Sequence, residues 1–451
     1  LDDWVKKNGG RVYGALVDLS TDKWLFRSAE TEAINPASNA KLVTAAAVLE
    51  LLGTDYQFQT ELLGDIDEEG HSRRLVLRGG GAPDLTTPDL WRLLQVALGR
   101  GLESVQDIVV DQSRFSEVYV PPAFEQQPAE WAPFRAPISA LALNGNAVSL
   151  NVFATRAGET ARVWYDPPGI VVEEGRVETS PKGKGDQVSW SLDPQKDKMR
   201  PHSRVGGSLA EGLGRRRYSR RLEDPRLASG LALRAVLEES GVKVTGTVTL
   251  GQVKKEERLA AWASQPASEL IRAMGKESDN FVAEMMLVAL SDAQIPENET
   301  AAKEELPWSS ERGAKVVREW LKEKGILADG IVIKNGSGLF DANRLSAELI
   351  TKLLASLEDN PRVYQDFVSH LATGATDGTL EKRMKGSPLA ARVRAKTGTL
   401  RNVDALSGYI QRPQGKSPAA FSLIIVGTQA SHAAVRKKVD ESVLAWASLL
   451  E

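Results

Sequence analysis

The sequence predicts an α+β fold in which one antiparallel sheet is assembled from both ends of the chain. Two strand-like segments lie at the front, Val12 to Asp18 and Lys23 to Arg27, around the polar turn Ser20-Thr21-Asp22. Three more lie at the back: Arg392 to Lys396, Asp404 to Ile410 and Phe421 to Gly427. The front pair leads into a helical run, Ser38 to Leu52, that is apolar almost all round and therefore reads as a central, buried element. Chain ends that close one domain are common, so the residues between are expected to be insertions.

Each element has its own signal. Asn35-Pro36 before the central helix and Gly53 after it are the punctuation expected of a helix start and stop. From about residue 63 the texture changes. Short strand-like runs, Arg74 to Arg78 and Val105 to Asp111, flank a helical stretch from Thr87 to Leu98. A strand-rich stretch, Leu150 to Trp190, is interrupted by Ser180-Pro181-Lys182-Gly183-Lys184-Gly185. Leu227 to Ser240 reads as a helix leading into a strand, Val242 to Leu250. Ser268 to Leu290 is a helical block broken near Ser278, and helices follow at Ala314 to Lys324, Ser346 to Leu357 and Ala433 to Leu449. A chain of 451 residues is too long for one core, and length alone suggests about three domains.

Composition removes several function classes. A net charge of −3 offers no general basic field for nucleic acid. The one basic cluster, Arg215, Arg216, Arg217, Arg220 and Arg221, is followed at once by Glu223 and Asp224 and reads as a solvated, paired surface. There is no cysteine, so disulfides, thiol catalysis and cysteine-ligated metals are excluded. His71, His202, His370 and His432 are scattered, none in a metal spacing, and no Gly-x-Ser-x-Gly elbow supports a Ser-His-Asp hydrolase. No cofactor is expected. The start, Leu1-Asp2-Asp3-Trp4, has no charged and apolar leader, so a signal peptide is expected to be removed or never present. The most apolar runs fall short of the ~20 residues a membrane span needs.

Three short signatures occur in order: Ser38-Asn39-Ala40-Lys41, Ser278-Asp279-Asn280 and Lys396-Thr397-Gly398. Singly they are weak, since Ser-x-x-Lys is expected about twice by chance in a chain this long. Ser20 to Lys23 and Ser240 to Lys243 also fit, but one lies in a polar turn and the other at a helix stop, whereas Ser38 opens a buried helix. Alone, Ser38 reads as a helix cap, Asn280 as a turn residue and Lys396 as an edge-strand charge. Their joint occurrence, each in the element its chemistry needs, reads as an enzyme.

The chemistry follows from residue types. A serine hydroxyl is a poor nucleophile until a base removes its proton, and residues three apart share a helix face, so Lys41 can reach Ser38. The lysine must then be neutral, which burial and the nearby charge of Lys396 favour. The backbone N–H of Ser38, in the first helical turn, and that of Thr399 are the expected oxyanion donors. Ser278 is suited to relay a proton to the leaving amine, and Asn280 to hold a backbone amide of the substrate. Lys396, Thr397 and Thr399 offer a cation and hydroxyls to a carboxylate, and Gly398 lets the substrate lie against the strand. The set suits a peptide with a free C-terminal carboxylate, or a β-lactam.

At these residues the chain resembles the class C, low-molecular-mass penicillin-binding proteins of the D-Ala-D-Ala carboxypeptidase/endopeptidase type (peptidase family S13). The resemblance also rests on Asn35-Pro36-Ala37-Ser38, Gly79-Gly80-Gly81-Ala82-Pro83-Asp84-Leu85-Thr86, Pro137-Ile138-Ser139-Ala140-Leu141-Ala142-Leu143-Asn144, Asn335-Gly336-Ser337-Gly338-Leu339 and Asp377-Gly378-Thr379-Leu380. It implies a penicillin-binding, β-lactamase-like transpeptidase fold, α+β, with an antiparallel sheet between helical layers and two smaller inserted domains. The interval from Ser38 to Ser278, about twice that from Ser278 to Lys396, leaves room for them. The expected division is 1–62 and 259–451 for the penicillin-binding domain, 63–155 and 220–258 for one insertion, and 156–219 for a β-rich second.

The resemblance assigns Ser38 as nucleophile, Lys41 as base, Ser278 as relay, Asn280 to the substrate amide and Lys396, Thr397 and Thr399 to the carboxylate. It implies peptidoglycan stem peptides as substrates, β-lactams as covalent inhibitors, and an exported protein of the bacterial periplasm or envelope with loose membrane or wall association. Some relatives read a diaminopimelate side chain with an acid before the Pro-Ile-Ser-Ala stretch; here that segment is Glu130-Trp131-Ala132-Pro133-Phe134-Arg135. The alternatives are a β-lactamase or esterase on the same scaffold, marked by fast penicillin turnover, and a non-catalytic peptidoglycan-binding protein, marked by wall retention without D-alanine release.

Overall fold

The computed structural model describes residues 1–193, 200–293, 306–413 and 416–450. The chain packs into two compact units. One comprises Leu1–Tyr56, Pro121–Pro128 and the chain from Gln265 onward; the other comprises Gln57–Val120 and Ala129–Ser264.

The first unit is built on a six-stranded sheet in the order Ala372–Thr373, Val393–Leu400, Val403–Ile410, Ala419–Val426, Arg11–Asp18, Lys23–Ser28. Every pairing in it is antiparallel. The two chain ends meet where Arg11 to Asp18 pairs residue by residue with Val426 to Ala419. Val403–Ile410 is buried throughout and Ala419–Val426 almost throughout. Buried on both faces, such strands read in sequence as nearly unbroken apolar runs. One face carries Val12, Leu16, Phe421, Leu423 and Ile425, packed with Val435, Val439 and Val443 of the C-terminal helix His432–Leu449.

The central helix, Ala40–Leu51, buries every residue from Ala40 to Leu49, including Lys41. It begins later than the sequence suggests. Ser38 lies in a short 3₁₀ turn, Ala37–Asn39, ahead of the α-helix. The cause is local: the side chain of Asn35 accepts from the N–H of Ala37 at 3.0 Å, and Ala37 takes a left-handed conformation, φ +50°, that turns the chain into the helix.

The helical block around Ser278 divides as expected, into Ala267–Glu277 and Asn280–Ala289. Ser278 closes the first helix in the left-handed region, φ +62°, and the side chain of Asp279 caps the second by accepting from the N–H of Val282 at 3.1 Å. The helix Ser310–Glu323 starts a little before its expected bounds, and Pro361–His370 was not signalled in the sequence.

The second unit holds a mixed sheet, Lys243–Val244, Ser104–Asp111, His71–Arg78, Gln59–Leu63, Arg258–Ala263, with Val248–Leu250 also pairing Ser104–Asp111. The strand expected over Val242 to Leu250 is thus two short ones. Around a small core of Leu150, Val152, Val177, Val205 and Leu209 lie three smaller sheets. Arg215–Arg221 is a strand of one of them; Arg216 and Arg217 pair with Asp186 and Asp166.

Candidate active site

Lys41 is the hub. Its side chain has no solvent exposure, and its Nζ lies 3.1 Å from Ser38 Oγ, 2.7 Å from Asn280 Oδ1 and 2.9 Å from the carbonyl oxygen of Ser337. A neutral amine has two N–H groups and one lone pair. Asn280 Oδ1 and Ser337 O accept the two hydrogens, which leaves the lone pair for the hydroxyl of Ser38. Burial pulls the lysine from its ordinary 10.5 to about 7, against the opposing pull of Glu284 and Asp279. The base expected from sequence is therefore half-deprotonated near neutrality.

Ser278 and Lys396 form a second cluster. Lys396, also fully buried, donates to Ser278 Oγ at 2.8 Å and to the carbonyl oxygen of Thr397 at 2.9 Å. Burial, and then repulsion from Lys41, holds Lys396 well below its ordinary value. No hydrogen bond joins Ser278 to Ser38 or Lys41. Ser278 accepts from Lys396, so its own hydroxyl hydrogen is free to be passed on.

The motif strand, Val393–Leu400, brings Thr397 and Thr399 to one face and Lys396 and Gly398 to the other. Thr397 Oγ1 donates to Thr379 Oγ1 at 2.9 Å, and Thr399 Oγ1 accepts from Arg436 Nη2 at 3.0 Å. A Cβ on Gly398 would sit 3.1 Å from Ala37 Cβ and from Pro36 O, so glycine here lets the strand lie against the turn that carries Ser38. Asn280 departs in one respect from its expected role. Its Oδ1 is engaged by Lys41, so its amide hydrogens are what it has to offer a substrate.

Residues 1–449 match a sequence model of the D-Ala-D-Ala carboxypeptidase 3 (S13) family. The chain belongs to that family. An S13 relative, the D-alanyl-D-alanine carboxypeptidase of Actinomadura sp. (strain R39), is 30% identical over 440 residues, 92% of this chain and 78% of that protein. Penicillin binding protein 4 (dacB) from Haemophilus influenzae superposes with a TM-score of 0.76 at 22% identity, over 95% of this chain and 94% of that one. A second structure of it, complexed with a novel β-lactam, gives 0.75 at 21% identity over 100% and 99%. The S13 chain thus has the penicillin-binding fold, α+β.

Several groups at this S13 site carried no assigned role in the sequence. The segment Asn335-Gly336-Ser337-Gly338 is held from two sides. Lys41 and Thr44 of the central helix donate to the carbonyls of Ser337 and Gly336, while Glu284 accepts from the N–H groups of Gly336 at 3.0 Å and Ser337 at 2.9 Å. Glu284 has no exposure, and burial raises its pKa. It is the one acid in the helix Asn280–Ala289, and that isolation among apolar residues was its signal. Gly338 has φ +73°, and a Cβ there would collide with the carbonyl oxygen of Ala37. Asp377 accepts from Lys276 Nζ at 2.6 Å and from Thr373 N at 2.7 Å, which fastens the end of the Ser278 helix beside the motif strand. His370 is buried, and burial lowers it to about 3, so it is neutral.

Proposed function

We propose that this S13 enzyme is a serine-type D-Ala-D-Ala carboxypeptidase and endopeptidase of peptidoglycan stem peptides, working through an acyl-enzyme on Ser38. The carrying observation is the buried Nζ of Lys41, 3.1 Å from Ser38 Oγ with both its hydrogens committed elsewhere. Ser38 Oγ attacks the carbonyl carbon of the penultimate D-alanine, and its proton passes to Lys41 Nζ. The N–H groups of Ser38 and Thr399 receive the oxyanion. The C–N bond then breaks as Ser278 delivers its proton to the departing nitrogen and receives in turn the proton that Lys41 took from Ser38, so that Lys41 is neutral again. Lys41 next takes a proton from water as that water attacks the ester, which frees Ser38 and the shortened peptide. Asn280, Thr397 and Thr399 hold the substrate along the motif strand, while Lys396 backs Ser278 and Gly398 lets the strand lie against the turn of Ser38.

β-Lactams are read as covalent inhibitors, in keeping with the relative complexed with one. Membership of the family supports a location in the bacterial envelope, and we read the protein as exported to the periplasm with loose wall or membrane association. Among the described residues no helix is long and apolar enough to cross a membrane. The division of the inserted residues into 63–155 with 220–258 and a β-rich 156–219 is likewise our reading, supported by the cluster of small sheets within 172–210.

The test is intact-mass analysis with benzylpenicillin, beside D-alanine release from a pentapeptide and cleavage of a cross-linked dimer. A stable adduct on the wild type, absent from Ser38→Ala, supports the reading. No adduct, or an equal adduct on Ser38→Ala, overturns it. Rapid penicillin turnover would instead mark a β-lactamase.

A further inference from the structure

Arg436 stands where the expected carboxylate site needs charge. Lys396, the cation assigned to that site by sequence, is buried, engaged by Ser278 and Thr397, and disfavoured as an ammonium. The face of the strand that carries Thr397 and Thr399 is different. Thr399 lies directly across from Asp404 in the register, so their side chains share a face of the sheet. Asp404 is almost fully buried. Its Oδ1 accepts from Arg436 Nε at 3.3 Å, and its Oδ2 lies 2.7 Å from His432 Nδ1. His432 and Arg436 are four residues apart in the first turns of the C-terminal helix and so project from one side of it. Asp404, gripped by both, fixes the guanidinium beside Thr399, where Nη2 donates to Thr399 Oγ1.

The arrangement leaves the guanidinium half-exposed, with its Nη1 taken by no partner among the described residues. We infer that Arg436 is a specificity determinant that favours substrates whose departing residue carries a free carboxylate on the carbon bearing the departing nitrogen. The inference rests on the function proposed above. A carboxylate accepting from the hydroxyls of Thr397 and Thr399 would lie next to a guanidinium, a permanently charged group whose planar fork suits it. A C-terminal D-alanine has such a carboxylate, and so does a cross-link whose amine sits on a carboxylate-bearing carbon. Amidation of that carboxylate removes what Arg436 recognises while leaving the scissile bond intact. Substrate choice is therefore set by the amidation state of the departing residue as well as by the acyl side.

The test compares diacetyl-L-lysyl-D-alanyl-D-alanine with its C-terminal carboxamide, following release of D-alanine or D-alaninamide. Wild type and Arg436→Gln are measured, with melting temperatures as a check on folding. The expected result is a fall of about tenfold or more in kcat/KM for the acid in the variant, with the amide unchanged, so that the preference for the acid narrows. Free guanidinium ion added to Arg436→Ala should restore part of the rate on the acid. Equal falls on both peptides would assign Arg436 a structural role, and no fall on the acid would remove it from recognition; either outcome overturns the inference. Absence of D-alanine release by the wild type would overturn the proposed function itself.

Discussion

Acylation of Ser38 should rise about tenfold between pH 6 and pH 8 and level off above. Only a neutral Lys41 can take the proton of Ser38, so the rate follows the neutral fraction, which grows as pH rises. The lysine titrates near 7, lowered from 10.5 first by burial. With that midpoint about one molecule in eleven is competent at pH 6 and about ten in eleven at pH 8; an unperturbed lysine would be neutral in only about one molecule in three thousand at pH 7. Burial in the central helix is thus worth about a thousandfold in reactive enzyme at neutral pH. The assay is the second-order rate of adduct formation with benzylpenicillin, read by intact mass from pH 5 to 9 at fixed ionic strength, because the carboxylate of the antibiotic stays ionised throughout. A rate still climbing tenfold per pH unit at pH 9 would show that Lys41 keeps its ordinary basicity, and a flat profile would show that it is not the base. Either result refutes the reasoning.

Three substitutions follow from the same geometry. Glu284 pulls Lys41 toward its charged form, so Glu284→Gln should move the acid limb of that profile to lower pH. It should also slow acylation about tenfold or more, since an amide hydrogen is set against the N–H groups of Gly336 and Ser337; an unmoved midpoint in the same assay would count against the coupling. Gly338→Ala should cost about 1–3 kcal/mol in denaturant unfolding and abolish acylation, because a left-handed glycine is replaced where Ala37 leaves no room. Asp279→Ala should lower stability by about 1 kcal/mol, read by urea melts, through loss of the cap on Val282, and should reduce D-alanine release by loosening Ser278.

The parts of the site legible in the sequence are those whose chemistry is written in side chains at fixed spacing. Ser38 and Lys41 meet because three residues on a helical turn share a face, and Ser278 and Asn280 project from a break that the apolar pattern on either side already marks. Lys396 was legible as a cation but not as a buried one, since the alternation of the motif strand does not say which face is covered. The carbonyl of Ser337 could not be read at all, because a backbone acceptor has no residue type. Arg436 was hidden for another reason: it is one arginine on a half-exposed helix, and only the register of Thr399 against Asp404 singles it out. The sheet was legible where its strands carry long apolar runs, as in Arg11–Asp18, Val403–Ile410 and Ala419–Val426, whereas the two-residue strand Ala372–Thr373 and the left-handed turn at Ala37 gave no sign, alanine being an unusual residue there.

Pairing the first strand with the last, Arg11–Asp18 with Ala419–Val426, has a consequence for biogenesis. On a growing polypeptide the nucleophile emerges early and the cationic strand late, so nothing that could cut a wall peptide or react with an antibiotic exists until synthesis is nearly finished. Contacts of such long sequence separation also assemble slowly. The enzyme would in this way stay inert while its chain is incomplete and acquire its reactivity only when its two ends meet.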